Sequence, residues 1–181
     1  MPKLDVVYYC QVINMEQKER KHNRLGYYDY GQKGSYFVTL CTHSRLPLFK
    51  MESIVGNCLR AVPPPPQNVI IRKWIRETQN KYPNIVIDKY VIMPDHLHII
   101  VTIRERHAGR SLPDIMQFFK TMTTNDYIRG VKAGFLAPFD KKLWQKSYYD
   151  HVIRNQQDYD ETRQYIENNP AKWMLVYQKE S

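Results

Sequence analysis

The stretch "VIMPDHLHII" at residues 91–100 places two histidines one residue apart in a run that is otherwise largely apolar and β-branched. Side chains alternate faces along a β-strand, so a strand here would point His96 and His98 to the same side, with Leu97 on the other. Two imidazoles in that arrangement form half of a metal site. Histidines that fill a core or a strand end produce the same pattern, so the motif alone does not separate these interpretations.

A tyrosine near the C-terminus supplies a candidate nucleophile. In "QQDYDETRQYIENNPAKW", Tyr165 lies about a quarter-turn away from the apolar stripe through Ile166 and Trp173, on a polar flank of the helix. A phenol is a weak nucleophile at neutral pH, and a divalent cation on a phosphate offsets the charge that builds up. Asn169, one turn beyond Tyr165, can add an oxygen ligand to the two histidine nitrogens. The alternative is that Tyr165 is merely one exposed member of 14 tyrosines.

The elements that must position these groups follow from the sequence periodicity. Strands are predicted at about 35–42, in "NIVIDKYVIM", in "HLHIIVTIR" and within "LWQKSYYDHVIR". Helices are predicted in "QNVIIRKWIRETQNKYP" after the tetraproline at 63–66, at about 112–129 after a Ser111 cap, and from Asn155 to the "NNP" at 168–170. This order predicts an α+β, ferredoxin-like βαββαβ fold. Its antiparallel sheet carries helices on one face, and an additional C-terminal helix carries Tyr165.

The composition favours a single domain with a polyanionic partner. The chain has 181 residues, 43% of them hydrophobic, which is enough for one core. We expect a basic N-terminal arm at 1–34 and one catalytic domain at 35–181. Lys and Arg number 27 against 18 Asp and Glu, a formal net charge of +9. That excess favours nucleic acid over a membrane surface or an acidic small molecule.

The remaining composition indicates a cytoplasmic protein. No run approaches the roughly 20 apolar residues of a membrane span, and the first residues lack the pattern of a secretory signal. Cys10, Cys41 and Cys58 are far apart and show no CxxC spacing. We therefore expect reduced, structural cysteines rather than a disulfide framework or a thiolate zinc site.

Three stretches carry a resemblance to a known family: "GSYFVTLCTHSRLPLF", "VIMPDHLHIIV" and "WQKSYYDHVIRNQQDYDETRQYIENNPAKW". In this order they resemble the single-tyrosine HUH transposases, specifically the bacterial REP-associated tyrosine transposase branch. The resemblance implies a ferredoxin-like fold, a catalytic Mg²⁺ or Mn²⁺, and cleavage and rejoining of single-stranded DNA through a tyrosine linked to the 5′-phosphate. By position it makes His96 and His98 metal ligands, Tyr165 the nucleophile and Asn169 the residue that completes the metal site.

The resemblance also implies a hairpin-forming repeat DNA as substrate and a place at the bacterial nucleoid. DNA contacts are then expected from six cations, three in the arm and three near the groove: Arg20, Lys21, Arg24, Lys120, Lys146 and Arg154. Plain solubilising charge explains each of them as well. His151 is more simply explained as a structural histidine that hydrogen-bonds across the sheet. The sequence leaves the oligomeric state open between monomer and homodimer.

Two other functions fit parts of the pattern. A ferredoxin-like sheet can bind single-stranded nucleic acid by base stacking without chemistry, and the aromatic strand "SYFVTL" would suit that role. Such a module has no use for paired histidines together with a tyrosine off the apolar stripe. A phosphoesterase that activates water on the metal lacks the further Asp, Glu or His ligands that it needs. The sequence therefore favours a metal-dependent DNA strand transferase that uses Tyr165.

Overall fold

A computed structural model of the chain describes residues 28–51, 63–105 and 111–177. The strands are β1 (Gly34–Cys41), β2 (Ile85–Ile92), β3 (His96–Ile103) and β4 (Tyr149–Ile153). The helices are α1 (Pro66–Lys81), α2 (Leu112–Lys132) and α3 (Gln156–Tyr177), and a short 3-10 turn (His43–Arg45) follows β1. This is the βαββαβ order with an additional C-terminal helix that the sequence predicts.

The four strands form one antiparallel sheet in the spatial order β2-β3-β1-β4. The two central strands are β1 and β3, and their register pairs Thr39 with His98 and Cys41 with His96. Side chains of directly paired residues lie on the same face of an antiparallel sheet. The register therefore determines which β1 side chains stand beside the histidines, and the strand order confirms the predicted ferredoxin-like α+β fold.

The two faces of the sheet bury different sets of side chains. On one face, alternate β3 residues such as Leu97 and Ile99 pack with α1 and α2 in the main core, where Ile71 and Phe119 are almost fully buried. On the other face, Phe37 and a few further apolar residues form a smaller cluster beneath α3. Each fully buried aliphatic or aromatic side chain stabilises the fold by roughly 1.5–3 kcal/mol. The larger cluster therefore supplies most of the hydrophobic stabilisation, and the face under α3 can hold polar side chains.

The starts of α1 and α2 follow the signals in the sequence. Pro65 adopts φ −54° and ψ 142°, an extended polyproline-type conformation, and Pro66 occupies the first turn of α1, where a missing N–H costs nothing. At the start of α2 the carboxylate of Asp114 accepts hydrogen bonds from the main-chain N–H and the hydroxyl of Ser111. These contacts satisfy donors that the helix itself leaves unpaired. Among the described helices, none has the length and apolar character needed to cross a membrane.

Two predicted boundaries are wrong. The fourth strand covers only Tyr149–Ile153, because the preceding Leu143 and Trp144 turn into the core, where the Trp144 indole N–H donates to Thr123 Oγ1 at 2.9 Å. The last helix does not end at 168–170 but continues through Pro170 to Tyr177. A proline inside a helix removes one main-chain hydrogen bond. The helix tolerates that loss here because Ile166, Asn169 and Pro170 are buried on one side of it and anchor these turns.

Candidate active site

The rings of His96 and His98 lie side by side on the β3 face that α3 covers. Both residues are 1% exposed, and their ring centroids are 4.5 Å apart. The Nδ1 atom of His96 lies 2.6 Å from Asp95 Oδ1, and the Nδ1 atom of His98 lies 2.8 Å from Thr39 Oγ1. Each ring is therefore held in orientation by a hydrogen bond at Nδ1, which leaves the Nε2 side of each ring for another partner.

Both Nε2 atoms are buried, and neither has a hydrogen-bond partner among the residues that the structure describes. A carboxylate can only accept, so the Asp95 contact places the His96 proton on Nδ1 and a lone pair on Nε2 when the ring is neutral. Burial lowers the pKa of His96 and lowers that of His98 well below its usual range; the nearby His96 and Arg45 charges lower the His98 pKa further. Neutral imidazoles with a directed Nε2 lone pair are the form in which histidine binds metals.

Residues that the sequence analysis did not single out support the histidines. Asp95, itself 7% exposed, also forms an ion pair with Arg45, whose Nε lies 3.0 Å from Asp95 Oδ2. The hydroxyl and main-chain N–H of Thr42 both donate to the carbonyl oxygen of Asp95. Asp95 precedes the first histidine directly, a signal that was available in the sequence. Thr39 lies on another strand, and only the β1–β3 register brings it to His98.

Helix α3 places Tyr165 over the same face of the sheet. Its ring packs edge-on against His98, with centroids 5.3 Å apart, and against Phe37 at 5.9 Å. Lys172, two turns further along, has its Nζ 5.9 Å from the Tyr165 ring centroid. The polar flank that the sequence assigns to Tyr165 is therefore turned toward the sheet, where Thr162 and Asn169 are buried at 9% and 8% exposure.

Trp173 on α3 borders the histidine pair, and helical spacing places Asn169 between Trp173 and Tyr165 on the same side of the helix. The Trp173 ring lies 5.5 Å from the His96 ring between centroids, and Asn169 is buried one turn after Tyr165. Within the described parts of the chain, no cluster of three or more His, Cys, Asp or Glu side chains is arranged to hold a metal ion. A metal on the two histidines would take further ligands such as water, a substrate oxygen or an amide oxygen, and helical spacing puts the Asn169 amide on the side of α3 that carries Tyr165 and Trp173.

Polar contacts between α3 and the edge strand β2 hold the helix in place. A β-bulge interrupts the β2–β3 pairing between Ile87 and Lys89. Because of this extra residue, the consecutive Asp88 and Lys89 both reach α3: Asp88 accepts a hydrogen bond from the Tyr159 hydroxyl, and Lys89 Nζ lies 2.7 Å from Glu167 Oε1. Burial and the Asp88 carboxylate raise the pKa of Tyr159 to about 12. These contacts lie on either side of Tyr165 along the helix and determine where its ring sits.

Comparison with known proteins identifies the family. Residues 31–169 match the protein family described as "Transposase IS200 like". The chain belongs to the IS200-like transposase family. It is 31% identical over 169 residues to an uncharacterized protein of Haemophilus influenzae, a match that covers 85% of this chain and 89% of the relative. It is 30% identical over 93 residues to the REP-associated tyrosine transposase of Escherichia coli, which covers 51% of this chain and 48% of that protein.

A solved structure shares the fold of this transposase. It is a REP-associated tyrosine transposase bound to a REP hairpin, with 23% sequence identity and a TM-score of 0.52, and the match covers 86% of this chain and 74% of that one. The predicted family, fold class and enzyme class, a transposase acting as a DNA strand transferase, are therefore confirmed.

The cations expected to contact DNA occupy different environments in the transposase. Arg20, Lys21 and Arg24 lie outside the described residues. Lys120 donates to the carbonyl oxygens of Gln145 at 2.7 Å and Lys146 at 2.9 Å, so its ammonium fixes the loop that leads into β4. The side chains of Lys146 and Arg154 are exposed at the two ends of that strand.

The prediction that His151 hydrogen-bonds across the sheet is wrong. Its Nε2 lies 2.9 Å and 3.0 Å from the two carboxylate oxygens of Asp158, in the first turn of α3. The same carboxylate accepts from the main-chain N–H of Arg154, and the side chain of Asn155 accepts from the N–H of Asp158. His151 thus joins β4 to the start of the helix that carries Tyr165. Cys41 is a buried free thiol, as expected, and Cys10 and Cys58 lie outside the described residues.

Proposed function

We propose that this transposase cleaves and rejoins single-stranded DNA through a covalent bond between Tyr165 and a 5′-phosphate. One observation supports the proposal most strongly: two buried imidazoles have their Nδ1 atoms hydrogen-bonded, and in the described part of the chain their Nε2 atoms have no hydrogen-bond partner. One of them, His98, packs against the ring of Tyr165. A structural role would leave these Nε2 atoms paired, because an unsatisfied buried polar group costs roughly 1–3 kcal/mol. A ligand that the folded chain is built to receive explains why the cost is tolerated.

The residues present fit a divalent metal. His96 and His98 would bind it through Nε2, and Asn169 would supply an amide oxygen, a mixed nitrogen and oxygen set that suits Mn²⁺ or Mg²⁺ with positions left for phosphate and water. When bound, the cation would neutralise charge on the non-bridging oxygens of the scissile phosphate. Asp95 would fix the tautomer and direction of the His96 ring, and Thr39 would fix the direction of the His98 ring, as second partners of metal-bound histidines commonly do.

Tyr165 performs the covalent step in this proposal. Its Oη attacks phosphorus, a new phosphorus–oxygen bond forms, and the bond from phosphorus to the 3′ oxygen of the preceding nucleotide breaks. The phenolic proton passes to solvent, and the departing 3′ oxygen takes up a proton to become a free 3′-OH. Attack of a 3′-OH on the phosphotyrosine reverses these changes and joins strands. Lys172 lies near the Tyr165 ring, where a positive charge favours the phenolate that forms.

The proposed substrate is a hairpin-forming DNA. The fold neighbour is bound to a REP hairpin, and the net charge of +9 suits a polyanion. We therefore assign this transposase a hairpin with a single-stranded flank. Lys146 and Arg154 would contact its phosphates, and the basic arm at 1–34 would contact DNA through Arg20, Lys21 and Arg24. Lys120 would act mainly through the loop that it fixes.

Formation of a covalent adduct tests the proposal. The protein is incubated with Mn²⁺ and an end-labelled single-stranded hairpin oligonucleotide, and the products are separated under denaturing conditions. The wild type should give a labelled protein band of reduced mobility. Tyr165→Phe should lose that band and still bind the oligonucleotide, because the variant keeps the ring that packs on His98 and Phe37.

Tyr90→Phe is the matched control, because Tyr90 lies on β2 and packs toward the main core, away from the histidines. It should retain the adduct. An adduct that survives in Tyr165→Phe would refute the assignment of the nucleophile. Binding without an adduct in the wild type would favour the non-catalytic binding module, and release of a free 5′-phosphate without an adduct would favour a hydrolase.

A further inference from the structure

An exposed tyrosine lies in line with His98 on the proposed catalytic face. The register pairs His98 with Thr39 across β3 and β1, and pairs Thr39 with Tyr149 across β1 and β4. Direct partners share a face, so the three side chains form a row across the sheet. Adjacent strands are about 4.8 Å apart, which places Tyr149 about 10 Å from His98. Tyr149 is 37% exposed, whereas the other two residues are buried.

Helix α3 covers only part of this face. It begins at Gln156, directly after β4, and packs mainly on β2 and β3 at the other end of the row. Its contacts with β4 involve Ile153 and His151, which lie nearer the end of that strand. Tyr149 is the first residue of β4 and lies beyond these contacts. Of the three side chains in the row, Tyr149 at the β4 edge is the exposed one, and a chain that enters from that edge meets it first.

The position of Tyr149 distinguishes it from other exposed apolar residues. In the described part of the chain, four large apolar side chains are exposed: Val69, Ile128, Phe135 and Tyr149. Val69 and Ile128 belong to α1 and α2, and Phe135 follows α2, so these three lie with the helices of the opposite face. Tyr149 alone among them is on a strand and shares the face of the histidines.

The charges around Tyr149 suit a nucleic acid. Lys146 is exposed on the loop just before Tyr149, and Arg154 is exposed beyond the far end of β4. Asp158, the nearby acidic group on α3, is held by His151 and by the main-chain N–H of Arg154, and its side chain is 25% exposed. Asp150 alternates to the other face of the strand. An aromatic face flanked by cations is the arrangement with which proteins bind single-stranded DNA, by stacking bases and contacting phosphates.

We infer that Tyr149 stacks on the nucleobase adjoining the phosphate at the histidine pair, and so sets the path of the single-stranded substrate across the sheet toward the β4 edge. The inference rests on the proposed function, because that function places a scissile phosphate at His96 and His98. Stacking uses the π-face that every base has, so Tyr149 fixes the position of the strand and adds little sequence preference.

Fluorescence of a base analogue tests the inference. The probe is oligothymidylate that carries a single 2-aminopurine, and the protein carries Tyr165→Phe so that no cleavage intervenes. Stacking should quench the 2-aminopurine. The quenching should persist in Tyr149→Phe, which keeps an aromatic ring, and should be lost in Tyr149→Leu. The affinity of Tyr149→Leu should fall about 5-fold to 150-fold, the range expected for one stacked base.

Phe135→Leu is the control, because Phe135 is a more exposed aromatic residue on the other side of the molecule. It should change neither quenching nor affinity. Equal quenching and affinity in the Tyr149→Leu and parent proteins would overturn the inference. The fluorescence readout requires no cleavage, so it tests the stacking role separately from the proposed function. If the wild type forms adducts but the quenching does not depend on Tyr149, only the stacking role is rejected. If the quenching depends on Tyr149 but the wild type forms no adducts, only the catalytic role of Tyr165 is rejected.

Discussion

At the scale of residues, the site is built on imidazoles that the fold keeps neutral and oriented. Burial lowers the pKa of both rings, and their Nδ1 atoms are engaged by Asp95 and Thr39. Neither Nε2 atom has a hydrogen-bond partner within residues 28–51, 63–105 and 111–177. Replacing either partner of Nδ1 would free the ring to rotate, so the metal affinity should depend on residues that never touch the metal.

Thr39→Val tests this dependence. Valine keeps nearly the same volume and removes the hydroxyl 2.8 Å from His98 Nδ1. We expect the affinity for Mn²⁺, measured by titration calorimetry, to fall about 10-fold to 100-fold. Thr102→Val is the matched control on β3, where the lost bond joins Thr102 to Ser35 at 2.8 Å and lies away from the histidines. Equal Mn²⁺ affinity in the Thr39 variant and the wild type would show that Thr39 does not position His98.

At the scale of elements, α3 is held by a few polar contacts over a small apolar cluster. The cluster between α3 and the sheet has four buried members, Phe37, Ile100 and Ile153 of the sheet and Ile166 of the helix. The contacts from Tyr159 to Asp88 and from Lys89 to Glu167 therefore carry a large share of its attachment to β2. The position of the proposed nucleophile depends on these side chains, although they belong to the edge strand and not to the histidine pair.

Removing the Tyr159 hydroxyl should loosen α3 more than the sheet. The hydrogen bond to the exposed Asp88 contributes about 1 kcal/mol, so Tyr159→Phe should speed amide hydrogen exchange in α3 about 5-fold while exchange in β1 and β3 stays unchanged. Gln157→Ala is the control, because that side chain bonds within the helix, to Glu161. Exchange that rises equally throughout the protein would indicate a loss of global stability instead.

The contact between α1 and α2 should make the free energy of unfolding depend on pH. Asp126 on α2 accepts hydrogen bonds from Trp74 Nε1 at 2.8 Å and Lys73 Nζ at 2.7 Å on α1. Burial raises the pKa of Asp126, but its hydrogen bonds to Lys73, Trp74 and Arg129 outweigh this effect and hold the pKa below the usual 3.8. A carboxyl group whose pKa is depressed by folding stabilises the fold above its unfolded pKa, and this stabilisation is lost as pH falls through the folded value.

Asp126→Asn should therefore lower the free energy of unfolding by about 1–3 kcal/mol at pH 7. The difference from the wild type should narrow at pH values below 3.8, where the unfolded carboxyl group is protonated. Urea unfolding of both proteins over this pH range measures the effect. A difference that stays constant from neutral to acidic pH would contradict the role of the Asp126 charge.

At the scale of the whole molecule, one face of the sheet carries the main hydrophobic core and the other carries the candidate active site. The sequence predicts much of this arrangement. Strand alternation is enough to place His96 and His98 on one face, and helical spacing is enough to move Tyr165 off the apolar stripe. Both predictions use local periodicity, which a single chain displays directly. Periodicity also predicts the βαββαβ order of the elements, which the structure confirms, and the family match confirms the resemblance.

The features that were not predicted depend on tertiary contacts. The bond from Thr39 to His98 requires the β1–β3 register, and the reach of both Asp88 and Lys89 to α3 requires the bulge in β2. The continuation of α3 through Pro170 depends on tertiary packing. The helix propensities of the individual residues do not describe such packing. The partner of His151 was predicted across the sheet, whereas Asp158 on the following helix turn is closer.

The central claim is that Tyr165 becomes joined to DNA at a site formed by His96 and His98. Mass spectrometry of a tryptic digest, after reaction with Mn²⁺ and a hairpin oligonucleotide, tests it directly, because residues 164–172 form a tryptic peptide in which Tyr165 is the single tyrosine. We predict that this peptide carries nucleotide mass through a 5′-phosphate, and that His96→Ala with His98→Ala abolishes the modification. Nucleotide mass on any other peptide, or on this peptide in the double histidine variant, would contradict the claim.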